Sequence, residues 1–168
     1  MGRCHGSTCQ CKGIIRTRGL FANVCVGPPR KIWAYLEAHL SEPIVFVSTH
    51  KIKEGKLDDF KRFSLEMTPL IDANKPSTVF FQSYLNEAGN EVTIVHVFPD
   101  ADSMDSHFIG ADSRSAKANE FIQPEHFEIY GTPSDQVLSA MRQLTTTLGA
   151  PLSLKSQPLS GFIRLGSG

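Results

Sequence analysis

The sequence predicts an α+β domain in which a strand, a helix, two strands, a second helical region and a fourth strand follow one another. Runs rich in β-branched and aromatic residues predict the four strands. These runs cover residues 44–51, 78–86, 91–98 and 126–131. Apolar residues recur at helical spacing in the two longer intervals between the runs. Only residues 87–90 separate the second run from the third, which predicts an antiparallel hairpin.

The first helix is expected over residues 56–71, directly after Gly55. Its apolar stripe is formed by Phe60, Phe63, Met67 and Leu70. Asp58 and Asp59 lie in its first turn, where the helix dipole favours anions. Pro69 is expected to bend or end this helix, because proline lacks the amide hydrogen that the helix needs.

The second helical region is expected to begin at Asp100 or Asp102 and to bury Met104. Gly110 should divide it from a further helical piece over residues 112–122. The resulting order is the ferredoxin-like βαββαβ arrangement. Its helices should cover one face of the sheet and leave the other open, and an exposed apolar face calls for a partner.

Residues 132–168 are expected to add a helix and a tail that pack on the domain or on a partner subunit. Pro133 at the first helical position and Gly149 after the last one predict the ends of that helix. We expect residues 150–160 to form an extended linker and residues 161–165 to form a short fifth strand.

The charges and the apolar runs exclude two classes of partner. The 168-residue chain carries 17 Lys plus Arg and 17 Asp plus Glu, so its formal net charge is zero. Such a chain has no long-range field to gather phosphates, and nucleic-acid binding is not expected. Its apolar runs are far shorter than the ~20 residues that span a bilayer, so no membrane association is expected. We expect a cytoplasmic protein with one globular domain.

Residues 1–41 differ in composition from the domain, which is expected to span residues 42–131. All four cysteines lie in this segment, and its first 36 residues contain basic residues but no acidic one. We interpret it as a disordered or non-native extension, with an organellar transit peptide as the alternative. The spacing of Cys4, Cys9 and Cys11 fits no common zinc module, so no metal is expected.

A candidate pocket follows from the alternation of side chains across the first three strands, because one set on each strand mixes aromatic with polar residues. These sets contain Phe46, Ser48 and His50 on the first strand, Phe80, Gln82 and Tyr84 on the second, and His96 and Phe98 on the third. Aromatic walls with a few polar groups are typical of a small-molecule pocket, although a core with satisfied polar groups has the same pattern. His107 lies three residues after Met104, on the helix face that should meet the sheet; its alternative role is to cap that short helix.

Two segments resemble motifs of the antibiotic-biosynthesis-monooxygenase-like domains. Residues 52–56 (IKEGK) follow a strand and open a helix, as the "v-k-p-G-k" motif of that family does. Residues 95–100 (VHVFPD), with His107 nine residues after Phe98, resemble its "E-x-w/y-x-D … H" segment. The resemblance covers residues 43–131. It implies the dimeric α+β barrel fold, in which two ferredoxin-like sheets pack face to face in a homodimer.

The resemblance also implies an activity, that of a monooxygenase that oxidises a small phenol or quinol with O2 and needs no metal or other cofactor. The family's haem-degrading branch has Asn, Trp and His at positions that hold Ser48, Phe98 and Lys117 here, which disfavours haem degradation. The quinol-oxidising branch usually has Glu where this chain has His96, so an acid-base group is kept but its charge differs.

A general base with a pKa near the working pH is best suited to remove a phenolic proton, and the unperturbed pKa of an imidazole, about 6.5, lies in that range. We expect His96 to be this base, with His50 and His107 as further candidates. The expected substrate-binding residues are Ser48, Gln82 and Tyr84 for oxygen atoms, and Phe46, Phe80 and Phe98 for the aromatic ring. The alternatives are a non-catalytic barrel that binds a small ligand, and an isomerase or dehydratase that uses the same histidine. The sequence contains neither a G-x-S-x-G nor a G-x-G-x-x-G motif.

Overall fold

A computed structural model describes residues 43–162 of the protein. The extension expected over residues 1–41 lies outside this range. Within residues 43–162, no helix is both long enough and apolar enough to cross a membrane.

The described chain has the predicted α+β architecture, including the helix predicted after the fourth strand, and a fifth strand follows that helix. The elements are β1 (Ile44–Ile52), α1 (Leu57–Asn74), β2 (Phe80–Leu85), β3 (Glu91–Phe98), α2 (Ala101–Phe108), α3 (Ala111–Ala118), β4 (Ile122–Tyr130), α4 (Asp135–Leu148) and β5 (Leu152–Lys155). The strands form one sheet in the order β2-β3-β1-β4-β5. Neighbouring strands are antiparallel except for β4 and β5, which are parallel. The predicted ferredoxin-like βαββαβ arrangement is confirmed.

Pro69 was expected to bend or end helix α1; the helix does not end there but continues to Asn74. Pro69 removes only one backbone hydrogen bond, the one that the carbonyl oxygen of Leu65 would otherwise accept. The last turns are kept helical by Ile71, which is buried. Ile71 takes the place in the apolar stripe that was predicted for Leu70, which is exposed.

Strand β5 lies within residues 150–160, for which an extended linker was wrongly predicted. Helix α4 ends where Gly149 adopts a left-handed conformation with φ of 68°. Ala150 is then buried, and the chain returns to the sheet beside β4. The pairing is parallel because α4 forms the crossover between the two strands. Of the strand predicted over residues 161–165, the first two residues have no regular structure and the others lie outside the described range.

The helices cover one face of the sheet, which we call the helix-covered face. Its larger core cluster includes Ile44, Phe46, Phe98 and Ile129 of the sheet, Met104 of α2, and Val137 and Met141 of α4. A smaller cluster joins Ile52, Val92 and Ile122 of the sheet to Phe60 of α1. The opposite face, which we call the open face, has partly exposed valines on β1 and β3 and exposed aromatic side chains on β2.

Candidate functional site

A cavity of about 190 Å³ lies between the helix-covered face of the sheet and the helices. Its sheet side is formed by Phe46, Ser48, His50, Phe81, Ser83 and His96. Its helix side includes Phe63 and Met67 of α1, His107 and Phe108 of α2, Arg114 of α3 and Leu144 of α4. None of the described residues that line it is acidic. An apolar cavity with a few polar groups is the usual form of a small-molecule site.

The pairing register brings the candidate residues of β1 and β3 together. His96 pairs with Phe46 on β1 and with Phe81 on β2, so these three side chains form a row on the helix-covered face. Ser48 and His50 continue along β1 on the same face, and both are buried. The predicted sets of the first and third strands therefore occupy one side of the sheet, where the cavity lies.

The predicted set of the second strand was assigned to the wrong face. The residues that lie on the open face are Phe80, Gln82 and Tyr84. Phe81 and Ser83 take their place at the cavity. The hairpin decides this register, because the side chain of Asn86 accepts hydrogen bonds from the backbone N–H groups of Asn90 and Glu91 at 3.1 and 3.2 Å. A shift of one residue would exchange the two faces, and both sets on β2 contain aromatic and polar residues.

His96 lies at the centre of the site and is 8% exposed. Its ring centroid is 4.8 Å from that of His107, 4.9 Å from that of Phe81 and 5.5 Å from that of Phe46. Its Nδ1 is buried and has no hydrogen-bond partner among the described residues. Burial lowers the pKa of His96 to about 3, and the nearby His107 acts in the same direction. His96 is therefore a neutral imidazole at pH 7.

His50 is a second buried imidazole on the same face. Its ring lies edge-on to Phe127, with 6.0 Å between the ring centroids. Its Nδ1, like that of His96, is buried without a hydrogen-bond partner in residues 43–162. Burial lowers the pKa of His50 to about 4, so this side chain also is neutral at pH 7.

His107 meets the sheet, and it does not take the alternative role of a helix cap. Its ring lies 5.2 Å from that of Phe98, and its Nδ1 is 2.8 Å from the hydroxyl oxygen of Thr78. Burial lowers the pKa of His107 to about 4, and the charges of Arg114 and Lys75 lower it further. The carbonyl oxygens at the end of α2 accept hydrogen bonds from Lys75 Nζ at 2.7 and 2.9 Å.

Arg114 is a cavity residue that the sequence analysis missed. Its Nη2 donates to the carbonyl oxygen of His107 at 2.8 Å. Burial lowers the pKa of Arg114, yet a guanidinium remains protonated in proteins. The only sequence signal was helical spacing, since Ala111 and Ala118 line the cavity from the same side of α3. That signal is weak because both alanines are small.

Phe98 lies on the helix-covered face but does not line the cavity. Its side chain is completely buried, and its ring centroid lies 6.0 Å from that of His96. Phe98 was predicted to contact the aromatic ring of a substrate, but in the structure its ring packs beside that of His96.

Comparisons with known proteins identify similar structures only. No protein-family model matches the chain, and no curated protein matches it in sequence. The structure of MupZ from Pseudomonas fluorescens has a TM-score of 0.56 and 15% identity, and the match covers 73% of this chain and 94% of that one. SnoaB from Streptomyces nogalater, described as a cofactor-independent oxygenase, has a TM-score of 0.46, 13% identity and coverages of 55% and 94%. A candidate antibiotic biosynthesis monooxygenase from Bacteroides thetaiotaomicron has a TM-score of 0.45, 16% identity and coverages of 55% and 90%.

At 15% identity the match to MupZ shows a shared fold. The similar structures also include proteins described as antibiotic biosynthesis monooxygenases. The match to MupZ extends over nearly all of that protein.

Proposed function

We propose that the protein is a cofactor-independent monooxygenase that oxidises a small aromatic phenol with O2. The observation that carries this proposal is the neutral imidazole of His96 on the wall of a cavity lined by aromatic rings. A neutral imidazole can accept a phenolic proton, and the rings of Phe46 and Phe81 can pack against the ring of a bound phenol.

The reaction balances without an external reductant. His96 takes the phenolic proton, and the phenolate passes one electron to O2, which gives a phenoxyl radical and superoxide. These two recombine to form a C–O bond at a ring carbon that carries hydrogen. The resulting peroxide loses water when its O–O bond breaks, with the proton returned by His96 and the ring C–H proton lost. A phenol and O2 thus yield a quinone and water.

The low pKa of His96 determines how much the proton transfer costs. A phenol has a pKa of about 10, so transfer to an imidazole with a pKa of about 3 is uphill by about 10 kcal/mol. The Coulomb attraction between the resulting phenolate and imidazolium offsets about 4 kcal/mol of this cost at a separation of about 4 Å. The remaining ~6 kcal/mol fits within the barrier of roughly 13–17 kcal/mol that corresponds to ordinary turnover numbers. The base role is therefore energetically accessible.

Oxygen uptake by the full-length protein tests this function, with hydroquinones and other single-ring phenols as substrates and no metal or flavin added. We expect uptake above the uncatalysed rate, and we expect His96→Ala to abolish it. Lys61→Ala, which removes an exposed side chain of α1 that does not line the cavity, is the control and should keep full activity. Unchanged turnover in His96→Ala would exclude His96 as the base.

The second candidate function is non-catalytic binding of a small ligand. It is favoured by the same pKa values, because histidines held neutral by burial are also those of a binding pocket with no acid-base role. Binding of a phenol without any oxygen uptake would select this function over the first.

We also propose that a second copy of the chain covers the open face. Val47 of β1 pairs with Val95 of β3 at the centre of this face, and Phe80 and Tyr84 are 39% and 51% exposed beside them. An apolar face of this kind is usually an interface. Sedimentation velocity should give a dimer for the wild type and a monomer for Val47→Glu, because the glutamate would be buried without a partner. Lys61→Glu on the exposed side of α1 should stay dimeric, and a monomeric wild type would exclude the interface.

A further inference from the structure

The cavity has an unbalanced charge. Three imidazoles line it, and burial keeps each of them neutral at pH 7. None of the described lining residues is acidic, whereas one of them, Arg114, carries a cationic side chain. A cation beside an apolar cavity attracts an anion more strongly than it would in water, because the local dielectric constant is lower.

Arg114 is held by the backbone rather than by a carboxylate. Nη2 donates to the carbonyl oxygen of His107 at 2.8 Å, and Nη1 contacts the carbonyl oxygen of Ile109 at 3.5 Å. Among the described side chains, no carboxylate forms an ion pair with Arg114. A guanidinium has more N–H donors than these two contacts use, so donors remain for a ligand.

His107 connects this cation to the centre of the site. Its carbonyl oxygen accepts from Arg114, while its ring centroid lies 4.8 Å from that of His96. A ligand that occupies the cavity therefore lies within reach of a cation on its helix side and of the proposed base on its sheet side.

The cavity is large enough for a ligand with one aromatic ring. A dry protein cavity of about 150 Å³ binds benzene. The cavity here, at about 190 Å³, has room for one substituted benzene ring.

We propose that the ligand of this cavity is a single-ring aromatic anion, such as a hydroxybenzoate, whose anionic group binds Arg114 while its hydroxyl group lies near His96. This inference names the substrate class and rests on the proposed site. It makes Arg114 the residue that selects an anion over a neutral compound of the same shape. Arg114 also contacts the last carbonyl oxygens of α2, so the test must separate selection from a structural role.

The test compares 4-hydroxybenzoate with 4-hydroxybenzamide, which has a similar shape and no charge. Binding is measured by titration calorimetry at pH 7 without oxygen, so that no turnover occurs. We expect the wild type to bind the carboxylate roughly ten- to a hundredfold more tightly than the amide, the range for a charge-assisted hydrogen bond. Arg114→Gln should lose this preference and still bind the amide, and Arg114→Lys should keep part of it.

Lys75→Gln is the matched control, because Lys75 donates to the same carbonyl oxygen of Ile109 but does not line the cavity. Lys75→Gln should keep the wild-type preference for the carboxylate. If Arg114 had only a structural role, Arg114→Gln would instead lower the affinities for both ligands by the same factor. Equal wild-type affinities, no binding of either ligand, or a preference that persists in Arg114→Gln would overturn the inference. If the carboxylate binds as expected but no oxygen is consumed in air, the inference stands and the proposed oxygenase function fails.

Discussion

Acidification from pH 7 to pH 5 should destabilise the protein strongly, because three histidines are buried in neutral form. The pKa of an unfolded histidine is about 6.5, whereas burial lowers the pKa of His50 and His107 to about 4 and that of His96 to about 3. Both states are neutral above pH 6.5. Below that pH the unfolded chain takes up protons that the folded chain does not, so the free energy of unfolding falls until the pH reaches the folded pKa values.

The magnitude follows from the pKa shifts. At pH 5 each of these histidines costs about 2 kcal/mol of the free energy of unfolding, which gives about 6 kcal/mol for the three. A domain has about 5–15 kcal/mol in total, so the loss is a large part of it. The pKa of Asp100 is lowered by its hydrogen bonds to Ser103, so the stability that this carboxylate contributes is lost only at more acidic pH.

Urea unfolding followed by far-UV circular dichroism at pH 7, 6 and 5, at one protein concentration, measures this loss. His50→Gln removes one of the three groups, so its loss between pH 7 and pH 5 should be smaller than that of the wild type by about 2 kcal/mol. Lys61→Gln replaces an exposed side chain of α1 and leaves every histidine in place, so it should behave like the wild type. A wild-type loss below about 2 kcal/mol, or an unchanged loss in His50→Gln, would refute the account of buried neutral histidines.

Three further substitutions test the fold around the site by thermal or urea unfolding. Ser134→Ala removes the N-cap of α4, whose hydroxyl oxygen accepts from the backbone N–H of Val137 at 3.1 Å, and should cost about 1 kcal/mol. Gly131→Ala should cost about 1–3 kcal/mol, because Gly131 has φ of 103° and the new Cβ would lie 3.0 Å from the carbonyl oxygen of Pro43. Met141→Ala removes a side chain that is 2% exposed and should cost about 2–5 kcal/mol. A loss below about 0.5 kcal/mol in any of the three would contradict its stated cause.

Much of the fold was predictable from local patterns. Four strands, the hairpin and the first helix followed from residue type and periodicity, which are properties of short segments. Strand β5 was not predictable in this way. Its four residues, Leu152–Lys155, form a strand because α4 returns the chain to the exposed edge of β4, which is a long-range event. The continuation of α1 past Pro69 likewise depends on the burial of Ile71 against other elements.

Part of the candidate site was likewise predictable from local patterns, and the rest depends on tertiary structure. Alternation along β1, which is a local property, already places Phe46 and His50 on one face. The β1–β3 register of the structure adds His96 to that face, as its mixed aromatic and polar set predicted. Only the tertiary structure decided which face of β2 joins them, because both sets on that strand have the same mixed composition. Tertiary structure also brought Arg114 to the cavity and held the three histidines neutral, because burial and charge depend on residues that are distant in the sequence.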